Sequence, residues 1–229
     1  MSHSFSPKGT SVRFYLASTS PARLMLLRSA GIEPTLLPSH VDEEATATTH
    51  TAELGRDLTP AELVQLLARA KAEAVVTSKT VSTRSGETID GLVLGGDSAF
   101  VLDEIIYGKP HEPAVARERW LAQRGRTGTL YSGHWLIDHS GGTVRGAVGA
   151  VTRAEVTFSS DITAAEIDAY IATGEPLQVA GAFTIDSLGA PFVDGISGDP
   201  STVVGMSLPA LRRLVRELGH EWTSLWTSP

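Results

Sequence analysis

Asp97 stands where an apolar run, residues 92–94, passes through Gly95 and Gly96 into a carboxylate and then Ser98. A strand that flows into glycines and then an acid can hold that acid at the rim of a cleft, because the glycines let backbone or ligand approach closely. A carboxylate so placed can take up a proton or bind a cation. A second apolar stretch follows over residues 99–102, with a turn expected at Asp103-Glu104. Gly108-Lys109-Pro110 then offers a lysine between two residues that restrict the backbone. A hairpin bringing Asp97 and Lys109 together suits metal-assisted chemistry at a phosphate.

Further cations and acids need elements to position them. Residues 13–17 read as a first strand, followed by Ser18-Thr19-Ser20-Pro21. Ser20 is placed to cap a helix and Pro21 to occupy its first position. The free amides there, two hydroxyls and Arg23 in the first turn make an anion site. Taken alone, the segment reads more plainly as a capped helix with a surface arginine. Glu43 lies in the acidic cluster Val41-Asp42-Glu43-Glu44, which is expected to open a polar loop rich in Thr and Ala. Thr59-Pro60-Ala61-Glu62 is a capping box, and Leu63, Leu66, Leu67, Ala70 and Ala74 form the stripe of the helix behind it. Lys71 sits one residue beyond that stripe, the place of a lysine whose stem is covered and whose ammonium reaches water.

The remaining elements alternate. Residues 78–91 are expected to form an exposed loop, and residues 113–123 a helix. Residues 129–138 and 143–158 read as long strands paired around Gly141-Gly142. Thr163-Ala164-Ala165-Glu166 caps another helix, which Gly174 closes. Strands are expected over residues 179–185 and 191–196, a turn over 196–200, and a last amphipathic helix from Ser207 to Gly219. This order predicts a mixed α/β or α+β fold rather than a doubly wound sheet. No composition break divides the chain, so one domain over residues 1–229 is expected, with a disordered tail at 1–10.

Composition narrows the chemistry. A net charge of -7 opposes general nucleic-acid binding, which draws on basic surface. The absence of cysteine removes thiolate nucleophiles and cysteine-bound zinc. No apolar run approaches the ~18 residues of a membrane span. The polar start lacks a signal-peptide core, so a cytoplasmic protein is expected. Ser98 with His134 and Asp138 would make a serine-hydrolase triad, but Gly-x-Ser-x-Gly is absent. The seven histidines are scattered without metal-ligand spacing. Neither a Walker loop nor a Rossmann glycine fingerprint occurs. What stays is oxygen ligands for a hard cation, Asp97 and Glu43 for Mg²⁺ or Mn²⁺, with Arg23, Lys71 and Lys109 to neutralise a triphosphate.

These pieces, with several others in the same order, resemble the Maf family of nucleoside triphosphate pyrophosphatases along nearly the whole chain. They are Ala17-Ser18-Thr19-Ser20-Pro21-Ala22-Arg23, Val41-Asp42-Glu43, Ala70-Lys71-Ala72, Gly96-Asp97-Ser98, Gly108-Lys109-Pro110 and Gly125-Arg126-Thr127. Tyr170-Ile171-Ala172-Thr173-Gly174-Glu175-Pro176, Ala180-Gly181-Ala182-Phe183, Gly198-Asp199 and Val203-Val204-Gly205 follow.

The resemblance implies the Maf/inosine triphosphatase-like fold, with two lobes flanking a cleft and an elongated central mixed sheet. It implies hydrolysis of a nucleoside triphosphate to the monophosphate and pyrophosphate with a divalent cation, in a cytoplasmic family linked to cell-division arrest and often homodimeric. Asp97 matches the family's proton acceptor; Ser18, Arg23, Lys71 and Lys109 match its phosphate-binding groups; Glu43 matches an acid of the cleft.

Ala22, Ser98 and Asp186 match positions tied to base selection in the subgroup preferring dTTP and UTP. All three differ from the family pattern, so the base, canonical or modified, stays open. Ala22 replaces an arginine, Ser98 a threonine and Asp186 a glutamine. The inserts near residues 46–58 and 78–91 are long for the family. The alternative the departures favour is a nucleotide-binding regulator of cell division with weak turnover.

Overall fold

Helix starts follow from local chemistry. The computed structural model describes residues 12–78 and 88–227; the tail expected at 1–10 and most of the loop expected over 78–91 lie outside them. Strand β1 (Phe14–Leu16) leads into helix α1 (Pro21–Ser29), then β2 (Thr35–Leu36), α2 (Glu43–Leu54) and α3 (Pro60–Thr77). Ser20 caps α1 by accepting from the Arg23 amide, and Thr59 and Glu62 form both halves of the capping box of α3. Strand β3 (Gly91–Leu102) turns tightly into β4 (Ile105–Tyr107), and α4 (Pro113–Gln123) follows. The long strands β5 (Thr127–Ser140) and β6 (Thr143–Phe158) precede α5 (Ala164–Ala172), opened by the expected Thr163–Glu166 box. Strand β7 (Val193–Ser197), the short helix α6 (Pro200–Val204) and α7 (Leu208–Glu217) complete the order.

The strands of the described residues form one mixed seven-stranded sheet in the order β2-β1-β3-β5-β6-β7, with β4 added to β3. The fold is mixed α/β, as expected. β1 runs parallel to β2 and β3; the remaining pairs are antiparallel. One edge of β3 pairs with β5 from Gly91↔His139 to Val101↔Thr129. Its other edge is shared: β1 pairs as far as Leu16↔Leu94, and β4 takes over only at Phe100↔Tyr107. Among the described residues, 95–99 of β3 are therefore left with an open edge between two partner strands, and Asp97 is in the middle of it.

The core divides at the same place. Leu92 and Leu94 pack with Phe14, Leu27, Leu211 and Leu214 on one face of the sheet, while Val93 packs with Ala72 and Val75 of α3 on the other. Beyond the gap, Phe100 and Leu102 belong to a separate cluster with Trp120, Phe158, Tyr170 and Phe183. There the rings meet edge-on, Phe100 to Phe183 at 5.2 Å and Trp120 to Tyr170 at 5.5 Å between centroids. These three packed clusters thus lie on either side of the open-edged stretch of β3.

Three sequence expectations are corrected. The polar segment after Glu43 is helix α2, not a loop: Asp42 caps it through the Ala45 amide and Gly55 ends it in the left-handed conformation. It buries no residue, which is why it lacks an apolar stripe. Residues 179–185 form no strand: a 3-10 turn at Ala180–Ala182 interrupts them, because Gly181 (φ 73°) and Ala182 (φ 62°) leave extended geometry. The turn expected over 196–200 gives way at its end to α6, capped by Asp199.

Glycine sets how closely α3 lies on the sheet. A Cβ at Gly95 would overlap the Ala68 carbonyl of α3, and one at Gly133 would overlap the Val64 carbonyl. Both obstacles are helix backbone, which cannot step aside as a side chain can. Gly133→Ala and Gly95→Ala are each expected to destabilise the fold by about 1–3 kcal/mol, the usual cost of overpacking. Urea unfolding of the two variants against the parent protein checks this.

Candidate active site

Strand alternation divides the residues of the gap between two faces. Gly95 and Asp97 face α3, and Gly96 and Ser98 face α1. Because α3 lies so close over Gly95 and Gly133, and Gly133 is the register partner of Asp97, the helix residue one turn on from Ala68 reaches the acid. That residue is Lys71. Its Nζ donates to Asp97 Oδ1 at 2.7 Å and contacts Glu43 Oε1 at 2.8 Å. The Lys71 and Asp97 side chains are only 9% and 12% exposed, whereas Glu43, at the start of α2, is 54% exposed. Lys71 is therefore no snorkelling lysine but a buried ammonium shared by two carboxylates. Burial pushes the Asp97 carboxyl up from the ordinary aspartate value, against the pull of Lys71 and Arg23. Asp97 does not end its strand, as the two glycines before it suggest; β3 continues through it to Leu102.

On the opposite face a Cβ at Gly96 would approach Arg23 Nε to 3.1 Å, so the missing side chain leaves room for the guanidinium. Arg23 is buried rather than on the surface. It donates from Nε to the Gly205 carbonyl at 2.9 Å, from Nη1 to Ser18 Oγ at 3.1 Å and from Nη2 to Ser98 Oγ at 2.9 Å. Of the five N–H groups of a guanidinium, two remain for a ligand. Burial pushes its pKa down, with Asp97 and Glu43 pulling the other way. Ser18 also accepts from the Ser20 amide at 3.2 Å, so the loop after β1 is folded around this hydroxyl.

A further residue enters here that no motif announced. Ser132 of β5 is fully buried, is the register partner of Ser98, and donates to the Thr202 carbonyl at 2.9 Å. With that proton committed, the one Ser98 hydroxyl proton is shared between two acceptors, Ser132 Oγ at 3.0 Å and the Gly205 carbonyl at 3.3 Å. Arg23, Ser98, Ser132 and the Thr202 carbonyl thus form one hydrogen-bonded network. Only the β3–β5 register reveals it, which is why the sequence did not.

Lys109 is two residues past Tyr107, where β4 ends, on a chain running toward the gap. It is exposed and in no ion pair among the described residues. Arg119 donates to the Gly108 carbonyl and fixes that turn. Ala22, half-buried, is adjacent to Arg23 on α1. Asp186 is exposed, and no hydrogen bond or ion pair among the described residues joins it to the Asp97 cluster. Its loop is held by Glu175, which accepts from Tyr170 Oη at 2.9 Å, Ser187 Oγ at 2.7 Å and the Gly189 amide at 3.2 Å. The structure thus gathers Ser18, Arg23, Glu43, Lys71, Asp97 and Ser98 around the gap, in a network of bonds that Asp186 does not join among the described residues.

Comparison with known proteins bears on what this cluster belongs to. A family model described as Maf-like protein matches residues 13–218, from the residue before β1 to the residue after α7. The chain belongs to the Maf family. A relative from Leifsonia xyli subsp. xyli, named nucleoside triphosphate pyrophosphatase, is 64% identical over 94% of this chain and 97% of its own length. Relatives of the same name from Rhodococcus jostii and Streptomyces coelicolor are 48% and 47% identical, covering 94% and 93% of this chain and 96% and 94% of their own lengths. Every element of the gap lies inside the Maf match.

The serine-hydrolase triad is not assembled in this Maf-family chain. Asp138 pairs with His220 at 2.9 Å, not with His134. The buried His134 ring instead accepts the Ser207 amide on Nε2 at 2.8 Å and, as the Nδ1–H tautomer, donates to the Ala150 carbonyl at 3.1 Å. It ties the start of α7 to β5 and β6. Burial pushes this imidazole down to about 4, from an ordinary 6.5.

Between those values the unfolded chain binds a proton at this residue and the folded chain does not. Stability therefore rises with pH through the window and falls as pH drops toward 4. The loss is on the order of 3 kcal/mol at 1.36 kcal/mol per pKa unit. Urea unfolding from pH 4.5 to 7.5 is expected to show this slope in the parent and its absence in His134→Gln.

Proposed function

We propose that this chain is a nucleoside triphosphate pyrophosphatase whose reaction centre is the open edge of β3. The observation that carries the reading is the buried Lys71 ammonium between Glu43 and Asp97, with Asp97 on the strand that also presents Ser98 to Arg23. The names of the relatives and the Maf match agree with it.

The donor set fits a hard divalent cation. Two carboxylate oxygens on one nitrogen are within reach of a single ion, and among the described residues there is no group of three metal-ligating side chains. Mg²⁺ is held in this way, by one or two carboxylates with phosphate oxygens and water completing the shell. Asp97 and Glu43 would hold Mg²⁺ or Mn²⁺, which when bound polarises phosphoryl oxygens and offsets their charge.

The protein's own groups do the rest. Asp97, its carboxyl raised by burial, accepts the proton of the attacking water. Arg23, with two N–H groups to spare, and the Ser18 hydroxyl bind phosphate oxygens beside the free amides of α1. Lys71 and Lys109 neutralise the charge that develops on the cleaved phosphoryl and the leaving pyrophosphate. Since the Ser98 hydroxyl is engaged with Arg23 and Ser132, its part in base selection is to set the guanidinium rather than to touch the base. Ala22 leaves space next to Arg23 for the nucleoside, and Asp186 acts from a separate loop held by Glu175.

Two outcomes test the reading. Asp97→Asn is expected to lower pyrophosphate release by roughly 10²–10⁴-fold, the share a general base contributes, in an assay pairing pyrophosphate with monophosphate for each triphosphate. Parent-level turnover in this variant would refute the assignment. If the parent binds triphosphates but cleaves none, the regulator reading replaces it. Lys109→Ala is expected to cost about 1.5–3 kcal/mol in kcat/KM, one charge-assisted contact. Steady-state kinetics on the best triphosphate measures it.

A further inference from the structure

We propose that the Lys71 ammonium is an internal counter-ion, occupying the cation position between Asp97 and Glu43 until a divalent ion arrives together with a triphosphate. The inference deepens the proposed function and rests on its placement of the cation. Three observations lead to it. One nitrogen makes both short contacts, 2.7 Å to Asp97 and 2.8 Å to Glu43, so it stands where a shared metal would stand. The lysine is buried on α3, whose distance from the sheet is set by backbone contact at Gly95 and Gly133, so it cannot retreat by moving its helix. The third proton of the ammonium is uncommitted among the described residues, and an ammonium is a point charge with freely rotating donors.

A divalent ion and this ammonium cannot sit on the same two oxygens, because like charges at such separation repel, most strongly on the buried Lys71–Asp97 side. An ion arriving alone would have to displace Lys71 from both acids and leave a buried ammonium without an anion. An ion arriving with a triphosphate supplies the anion itself. Lys71 then turns from the carboxylates to phosphate oxygens as the metal takes its place. Metal and triphosphate therefore bind as a coupled pair, and the empty site resists capturing a metal by itself. Glu43 opens α2, a helix with no buried residue, so the exposed side of the cation position is not held by core packing.

Mn²⁺ binding to nucleotide-free protein, followed by the paramagnetic resonance of free Mn²⁺, tests this without any turnover. The parent and Lys71→Arg, which keeps the charge, are expected to bind Mn²⁺ no tighter than the millimolar range. Lys71→Met is expected to bind at least tenfold more tightly, and the gain should vanish when Asp97→Asn is added. Near-ultraviolet dichroism of the tryptophans reports whether each variant is folded. Lys71→Gln, which keeps amide donors but no charge, takes the place of Lys71→Met if the latter fails to fold. Micromolar Mn²⁺ binding by the parent alone, or no gain in either neutral variant, would overturn the proposal. A failure of triphosphate hydrolysis would overturn the proposed function instead, and the two failures are read in separate experiments.

Discussion

Everything at this site depends on a helix lying on glycines. At Gly95 and Gly133 the sheet offers no Cβ, and the carbonyls of Ala68 and Val64 occupy that space. Residues 68, 71 and 72 share a face of α3 at i, i+3 and i+4, and residues 95 and 97 share a face of β3. Seating Ala68 on Gly95 therefore brings Lys71 onto Asp97, while Ala72 joins the core next to Val93. A wider separation would lengthen a 2.7 Å contact into two unpaired charges. Breaking a buried pair by losing one partner typically costs about 3–5 kcal/mol, so the packing of the helix and the pairing of the charges stabilise one another.

The second constraint is the unfinished edge of β3. β1 is only three residues long and β4 likewise, and among the described residues they leave unpaired the stretch where the packed clusters part. Loops leaving β1 and β4 approach the gap from opposite ends. One brings Ser18 and, through α1, Arg23; the other brings Lys109. Because the strand alternates, the acid and its lysine form on one face and the arginine–serine chain on the other, so two networks with different partners converge on one short segment. A continuous pairing along that edge would have given a longer ladder and no opening.

Much of this was legible in the sequence wherever local chemistry decides structure. Thr59, Thr163 and Ser207 marked helix starts that the structure keeps, and Gly141-Gly142 marked the turn between β5 and β6. The readings that failed are those in which tertiary context overrides a local rule. Gly95-Gly96 resembles a strand end, yet β5 pairs with β3 straight through it and the glycines serve α3 and Arg23 instead. The segment after Glu43 has no stripe to detect, since α2 buries nothing. Lys71 lies one step outside an apolar stripe and reads as a surface lysine unless its acid is known to lie above it. Arg23 in a first helical turn reads as exposed until Gly205, far along the chain, supplies a carbonyl. Motif resemblance gathered these residues where periodicity did not, but it carried no sign of Ser132, whose part follows from strand register alone.

The charge balance of the cluster bears on what it can bind. Asp97 and Glu43 offset Lys71 and Arg23, and the chain as a whole carries -7. A resting site so balanced has no surplus positive charge with which to attract a triphosphate, unlike a phosphate site built from several unpaired cations. Lys109, exposed and outside any ion pair among the described residues, is the free cation at hand, and alone it falls short of a triphosphate's charge. On the proposed reading the missing charge must come with the substrate, as a divalent ion. Its arrival frees Lys71 from the acids at the moment phosphate oxygens are there to receive it. The same lysine that neutralises the buried acid in the empty protein then becomes a donor to the group being cleaved, without any new cation having to be built into the fold.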